Sequence, residues 1–207
     1  MTSKPIHELV HRSLKKHGLL EQTLHVFDMD NTLVNTKDIV KQAYLKAGVE
    51  ELKFEQNWGN PASMWLTPEI SAKKAEEYEK ILRDRSNGKL FTQLSFLANS
   101  PDLRGHCFTL TSASSRSYDL LQRYAGHLPP LMAASCLLAH KIGKLRSVQQ
   151  YFMGKVIYYD DDIHTIENMR QSFRNNPGFD GVLAHFVNGQ GVTFFTVSAE
   201  SEASWTV

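Results

Sequence analysis

Residues 24–36, Leu-His-Val-Phe-Asp-Met-Asp-Asn-Thr-Leu-Val-Asn-Thr, constrain this chain more than any other stretch. Leu24, Val26 and Phe27 have the β-branched and aromatic character of a buried strand, and polar residues begin abruptly at Asp28 and Asp30. In open α/β sheets, reactive groups gather in the crevice beyond the carboxyl ends of the strands, so a strand emptying into two carboxylates places a site where one is expected. The first carboxylate can act as nucleophile and magnesium ligand, the second as general acid and base. An acidic turn, with Asn31 and Thr32 as turn formers, accounts for the same residues, and the rest of the chain has to decide.

A second strand of the same design lies at residues 155–162, Lys-Val-Ile-Tyr-Tyr-Asp-Asp-Asp. Asp162 reads as the cap of the next helix, whereas Asp160 and Asp161 end a buried strand and aim at the same sheet edge as Asp28. His164 follows on that helix and reads as a surface histidine near its N-terminus. Between the two strands, residues 108–112, Phe-Thr-Leu-Thr-Ser, form a third apolar run closed by hydroxyls, and Ser114 and Ser115 cap a helix that continues to Gly126. Residues 131–138 read as another strand, with a buried helix segment as the alternative. Lys144 then opens a helix whose Val148, Tyr151 and Phe152 share a face, with Lys141 just before it.

Helical spacing runs through residues 5–20, with Gly18 as the stop, and through residues 38–48, with Gly48 as the C-cap. Residues 51–66 are the least regular part, and Thr67-Pro68-Glu69 starts a charged helix. About 70 residues separate the first motif from the strand at 108, whereas a crossover between parallel strands needs only about a dozen. The surplus predicts a small helical cap, whose Trp58 and Trp65 either form its core or stack on a substrate. Two further strands, residues 181–187 and 191–197, flank an Asn188-Gly189 turn, and residues 198–207 look like a loose tail.

Composition names no partner. At 207 residues the chain suits one domain with an insertion, and 23 basic against 22 acidic residues demand neither a polynucleotide nor a basic target. Cys107 and Cys136 lie in apolar stretches suited to free buried thiols, which fits a reducing, cytoplasmic setting. No run of about 18 apolar residues offers a membrane span. His7-Glu8-Leu9-Val10-His11 is a literal zinc-protease helix signature, with His17 spaced as a third ligand. The glycine that would break the helix after it is replaced by Leu14, so His17 falls roughly 240° around from His11 at ~100° per residue.

Taken in order, Asp28-x-Asp30-x-Thr32, the strand closed by Thr111, a lysine, and the strand ending in Asp160-Asp161 resemble the haloacid dehalogenase (HAD) superfamily of phosphohydrolases, over roughly residues 24–173. The resemblance implies an α/β fold, a doubly wound, Rossmann-like, mostly parallel sheet with a small C1-type helical cap. It divides the chain into an N-terminal helix (1–22), a core (23–36 and 100–198), a crossover helix plus cap (37–99) and a tail (199–207). It implies Asp28 as nucleophile, Asp30 as acid and base, and Thr111 and Lys144 as stabilisers of the phosphoryl group, with Lys141 the alternative lysine. Mg²⁺ would be held by Asp28, the carbonyl of Asp30 and Asp161. Thr32, Ser112 (the alternative to Thr111) and Asp160 would line the substrate side, with Asp160 beside the lysine and in contact with the metal or one of its ligands.

The acid at position 30 favours a phosphatase over a carbon–halogen hydrolase, because the dehalogenase branch lacks it. The expected partner is a small phosphorylated metabolite or nucleotide. Nucleic-acid ends are a less favoured substrate, because near-neutral charge disfavours a large phosphate-binding footprint. A catalytically silent binding module of the same fold is the alternative from another class. The oligomeric state is left open.

Overall fold

The computed structural model describes residues 5–57, 67–84, 91–103, 105–111, 130–132, 138–152, 154–176, 178–197 and 203–207. Trp58, Trp65, Ser112 and the helix expected from Ser114 to Gly126 lie outside them, and of Thr111 only the backbone is described.

The chain divides into two compact units, Met1–Val34 with Phe91–Val207, and Asn35–Leu90. The first is built on a seven-stranded sheet of order β3-β2-β1-β4-β5-β6-β7. Its strands are β1 (Thr23–Asp28), β2 (Cys107–Thr111), β3 (Pro130–Met132), β4 (Lys155–Asp160), β5 (Gly181–Val187), β6 (Gly191–Val197) and β7 (Ser204–Thr206). The five strands from β3 to β5 in that order are parallel, and β6 and β7 add antiparallel pairings at one edge. The fold is α/β, with a mostly parallel, Rossmann-like sheet.

Helices cover both faces. One face carries Leu24, Val26, Leu110, Val156, Tyr158 and Leu183, packed with Leu145 of α6 (Leu138–Phe152) and Ile166, Met169 and Phe173 of α7 (Ile163–Asn175). The spacing of those three α7 residues keeps them on one helix face. Asp162 caps α7, accepting the His164 N–H at 3.0 Å and the Thr165 hydroxyl at 2.7 Å. The opposite face carries an aromatic stack, Phe27 on Tyr159 at 4.4 Å between centroids and Phe194 on Trp205 at 5.0 Å. There α1 (Ile6–Lys16) buries Val10, Ser13 and Leu14. With both faces covered, every residue of β1 is buried, as expected of a central parallel strand. Where β5 runs beside β4, a Cβ on Gly181 would stand 2.3 Å from the Val156 carbonyl, so no side chain fits there.

The second unit consists of α2 (Thr36–Lys46), α3 (Glu51–Asn57) and α4 (Pro68–Arg83). Ile39, Ala43, Ala47, Val49, Phe54, Ile81 and Leu82 are its buried apolar residues among those described. Thr67 caps α4 by accepting the Ile70 N–H at 3.3 Å, the role that its place before Pro68 suggests. No helix among the described residues is long and apolar enough to cross a membrane.

Four expectations need correction. The C-terminal residues are not a loose tail throughout: β7 pairs with β6, because Trp205 stacks on His17 and Phe194 and donates its indole N–H to Ser13 at 2.9 Å. The lysine helix begins at Leu138 rather than at Lys144, and α5 (Gln93–Ala98), expected within the insertion, belongs to the sheet unit. Residues 51–57, within the stretch read as irregular, form α3.

His25 is a buried histidine of β1, with Nδ1 3.0 Å from the Tyr159 hydroxyl. Burial lowers its pKa from 6.5 to about 3. The unfolded chain therefore takes up a proton that the folded one refuses, and the penalty is absent above pH 6.5 and grows as pH falls toward 3, at about 1.4 kcal/mol per pH unit. Denaturant unfolding of the wild type and His25→Phe at pH 7 and pH 5 should show the wild type losing about 2 kcal/mol more than the variant over that interval.

Candidate active site

The order of strands reverses between β1 and β4: the chain passes from β1 outward through β2 and β3, then returns to place β4 on the other side of β1. In such sheets the carboxyl ends at the reversal form the ligand crevice. Asp28 ends β1 and Asp160 ends β4, and the register that pairs Phe27 with Tyr159 sets these two carboxylates side by side. Asp28, Asp160 and Asp161 each present one carboxylate oxygen within 4.8 Å of the others, the sole group with metal-ligating geometry among the described residues.

Lys141 enters this cluster from the first turn of α6. Its Nζ donates to Asp28 Oδ1 at 2.8 Å and to Asp160 Oδ2 at 3.0 Å. Lys144 was the expected lysine. Because α6 starts at Leu138, Lys144 sits about 4.5 Å farther along the helix axis and about 60° around from Lys141, on the next turn. Lys141 is thus the site lysine.

Asp160 is more than a partner of the lysine. Its Oδ2 also accepts the Tyr158 hydroxyl at 2.6 Å, and its Oδ1 accepts the Asp162 N–H at 2.9 Å. With Asp160 2% exposed, these contacts correct its assignment to substrate binding: it is an internal strut, and its oxygen is available to the acidic group. Thr32 needs the same correction. It is fully buried, its hydroxyl donates to Asp161 Oδ1 at 3.4 Å, and its carbonyl accepts the Thr92 hydroxyl at 2.5 Å, so it fixes the loop rather than facing a substrate.

The loop after β1 turns at Asn31, whose φ of 58° is a left-handed conformation that asparagine tolerates better than most residues. The Leu33 and Val34 N–H groups both return to the Met29 carbonyl at 3.1 Å, and Asn31 N–H reaches the Val34 carbonyl at 2.7 Å. This closes the loop tightly and leaves the Asp30 side chain exposed beside the buried Asp28. Asp30 contributes no side chain to the acidic group. The Thr111 backbone closes β2 one residue beyond Leu110, the register partner of Asp28, which puts it on the same edge.

The electrostatics follow from crowding three carboxylates around one ammonium. Burial, then the charge of Asp160, pushes Asp28 well above the usual carboxylate range, against the pull of Lys141. Burial and Asp160 push Asp161 up to about 6. Burial works against the charge of Lys141, but Asp28 and Asp160 outweigh it and hold the ammonium protonated. Three carboxylates and one lysine leave two negative charges, which a divalent cation would balance. A donor set of oxygens alone suits a hard divalent ion.

Two residues went unremarked in the sequence. Tyr158 was legible in principle, since residues two apart on a strand share a face. His185, whose Nε2 donates to the Asp161 carbonyl at 3.1 Å, was not, because it depends on the pairing of Asp160 with His185 across β4 and β5. His164 is exposed, and only its backbone N–H is engaged, with Asp162. The zinc signature dissolves as well: His11 pairs with Asp102 at 2.8 Å and His17 stacks on Trp205.

No family model matches the chain, and no curated protein does either. Among solved structures it is similar to a hydrolase from Pseudomonas syringae, at 12% identity and a TM-score of 0.46, over 77% of this chain and 83% of that one.

Two measurements probe the cluster. Lys141→Met leaves two buried carboxylates unpaired and should cost about 3 kcal/mol in denaturant unfolding at pH 7, whereas Lys144→Met should stay within about 0.5 kcal/mol of wild type. Calorimetric titration with Mg²⁺ should show affinity falling as pH drops through about 6, because a ligand must lose its proton before it binds, and Asp161→Asn should flatten that dependence.

Proposed function

We propose that the protein is a magnesium-dependent phosphohydrolase that transfers the phosphoryl group of a small phosphomonoester or nucleotide to Asp28 and then to water. The observation that carries this reading is the placement of a buried carboxylate at the strand-order reversal, with a lysine ammonium 2.8 Å away and two further carboxylates beside it. A nucleophile that must attack an already anionic phosphate needs cationic compensation at the point of attack, and Lys141 stands there.

In this mechanism an Asp28 carboxylate oxygen attacks phosphorus as the bond from phosphorus to the ester oxygen breaks. Asp30, exposed two residues on, delivers a proton to the departing alcohol. It then takes a proton from the water that attacks the aspartyl-phosphate, and cleavage of the phosphorus–Asp28 bond releases inorganic phosphate and restores the Asp28 carboxylate and the protonated Asp30. Lys141 holds Asp28 in position and offsets charge on the phosphoryl oxygens, in the role first assigned to Lys144. Thr111 would donate to one of those oxygens. Mg²⁺, held by Asp28, Asp161 and either the Asp30 carbonyl or Asp160, would supply electrostatic stabilisation of the same charge.

The test is Mg²⁺-dependent phosphate release from a panel of sugar phosphates, nucleotides, aryl phosphates and 5′- and 3′-phosphorylated oligonucleotides. Turnover should fall to background in Asp28→Asn and in chelator. Asp30→Asn should retain formation of the phospho-enzyme from an activated aryl phosphate, whose leaving group needs no proton, while losing activity on alkyl phosphates. Turnover indifferent to Asp28→Asn, or absent from the whole panel in folded protein, overturns the reading.

A further inference from the structure

Tyr158 takes no part in the chemistry proposed for the site, yet it touches both the lysine and the carboxylate that stands beside the nucleophile. It lies on β4 two residues before Asp160, on the same face of the sheet, and is fully buried. Val26, Leu110, Val156 and Leu183 belong to the same cluster and are apolar, so a phenylalanine would suit that packing as well. What tyrosine adds is a hydroxyl, donated to Asp160 Oδ2 at 2.6 Å. The ring makes a second contact, since Lys141 Nζ lies 5.8 Å from its centroid, within cation–π reach.

Asp160 is almost wholly withdrawn from solvent, so protein donors have to replace the water that its charge would otherwise hold. Among the described residues three do so: Lys141 Nζ at 3.0 Å and the Tyr158 hydroxyl at Oδ2, and the Asp162 N–H at 2.9 Å at Oδ1. Tyr158 is fixed by its buried ring and the N–H by the backbone. Lys141 is the movable member, an ammonium on a flexible stem. It is also claimed by Asp28 at 2.8 Å, and Asp28 accepts from no other donor among the described residues. Two buried carboxylates therefore compete for one ammonium, and the share each receives depends on what else satisfies it.

We propose that Tyr158 is a positioning residue: by satisfying Asp160 through its hydroxyl, it leaves Lys141 shared with Asp28 instead of drawn wholly onto Asp160. The ammonium carries three N–H donors. One goes to Asp28 and one to Asp160, and the third is the one left for a phosphoryl oxygen. Without the hydroxyl, Asp160 keeps its charge and loses a donor, and the lysine moves toward it and away from Asp28. The consequence for turnover rests on the phosphohydrolase reading, in which Lys141 offsets charge at the point of attack; the placement of the lysine does not.

The experiment is Tyr158→Phe in the full chain, which keeps the ring beneath the ammonium and removes only the hydroxyl, read in two ways. In a crystal structure of the metal-free variant, Lys141 Nζ should stand more than about 3.2 Å from Asp28 Oδ1, beyond hydrogen-bond range, while keeping Asp160. In Mg²⁺-dependent turnover kcat should fall about tenfold with KM within about twofold of wild type, the mark of an interaction felt in the transition state. A 4-aminophenylalanine at position 158 restores a donor in place of the hydroxyl, and should return the contact and bring kcat to within about threefold of wild type. A ring that served packing alone would show no such rescue. Should Tyr158→Phe fail to fold, 4-fluorophenylalanine at the same position fills the space of the hydroxyl without donating and gives the same two readings. A Lys141–Asp28 contact retained in the folded variant, an unchanged kcat, or a loss that 4-aminophenylalanine does not rescue would overturn the assignment. If wild-type turnover is absent or indifferent to Asp28→Asn, the phosphohydrolase reading falls, and the position of the lysine in the variant crystal decides the role of Tyr158.

Discussion

The ammonium of Lys141, held between Asp28 and Asp160, is the contact on which the candidate site depends. Neighbouring strands of a sheet stand about 4.8 Å apart, so two aspartates at the ends of β1 and β4 are forced to near that spacing whatever their charge. Desolvated carboxylates at that distance repel strongly, and Asp28 answers by favouring its neutral form. Lysine opposes that shift from the third dimension, reaching in from the start of a helix packed on one face of the sheet. The position of α6 is therefore an electrostatic matter as much as a packing one. Leu145, fully buried one turn further on, anchors the helix to the core that Lys141 serves at the rim.

Around that contact the fold builds a relay of fixed partners. Tyr158 and the Asp162 N–H hold Asp160, His185 holds the Asp161 backbone, Thr32 reaches Asp161 from the neighbouring loop, and Thr92 holds Thr32 from behind. His185, Thr32 and Thr92 come from segments distant in the chain. Their combined effect is to fix carboxylates that would otherwise rotate apart, so little reorganisation is left when charge develops nearby. Exposure is graded across the same few residues, from buried Asp160 and Asp28 through half-buried Asp161 to exposed Asp30. A group that must exchange protons with solvent sits at the wet end of that gradient, and one that must stay anhydrous sits at the dry end.

What could be read from the sequence was set by the range over which each feature is encoded. Both acidic strand ends were legible because apolar run and carboxylate are adjacent in the chain, and so were the Thr67 cap, the Asn188-Gly189 hairpin and the α/β class. Lys141 was not separable from Lys144, because the choice depends on the course of α6 and on the sheet edge it packs beside. The roles of Thr32 and Asp160 were misread because both types suit substrate contact equally well, and burial is a property of the whole sheet. The C-terminal strand was invisible for a similar reason. A segment of three residues has no periodicity, and what holds Trp205 in place is α1, nearly the whole chain away.

The energetics of the cluster bear on why it exists at all. Buried ion pairs seldom contribute net stability, because desolvation of both partners consumes most of the Coulombic gain, and well-packed apolar residues of similar volume often serve the fold as well or better. The face of the sheet beneath the cluster shows what such packing looks like: Val26, Val156, Leu183 and Leu145 are buried to the last few per cent without a charge among them. Three carboxylates and a lysine in place of that packing are not explained by folding. Their cost falls at the strand-order reversal, where the sheet cannot close over its own ends and a crevice exists whether or not it is used. Charge concentrated there, and absent a few residues deeper along the same strands, is what the proposed chemistry at the crevice would require.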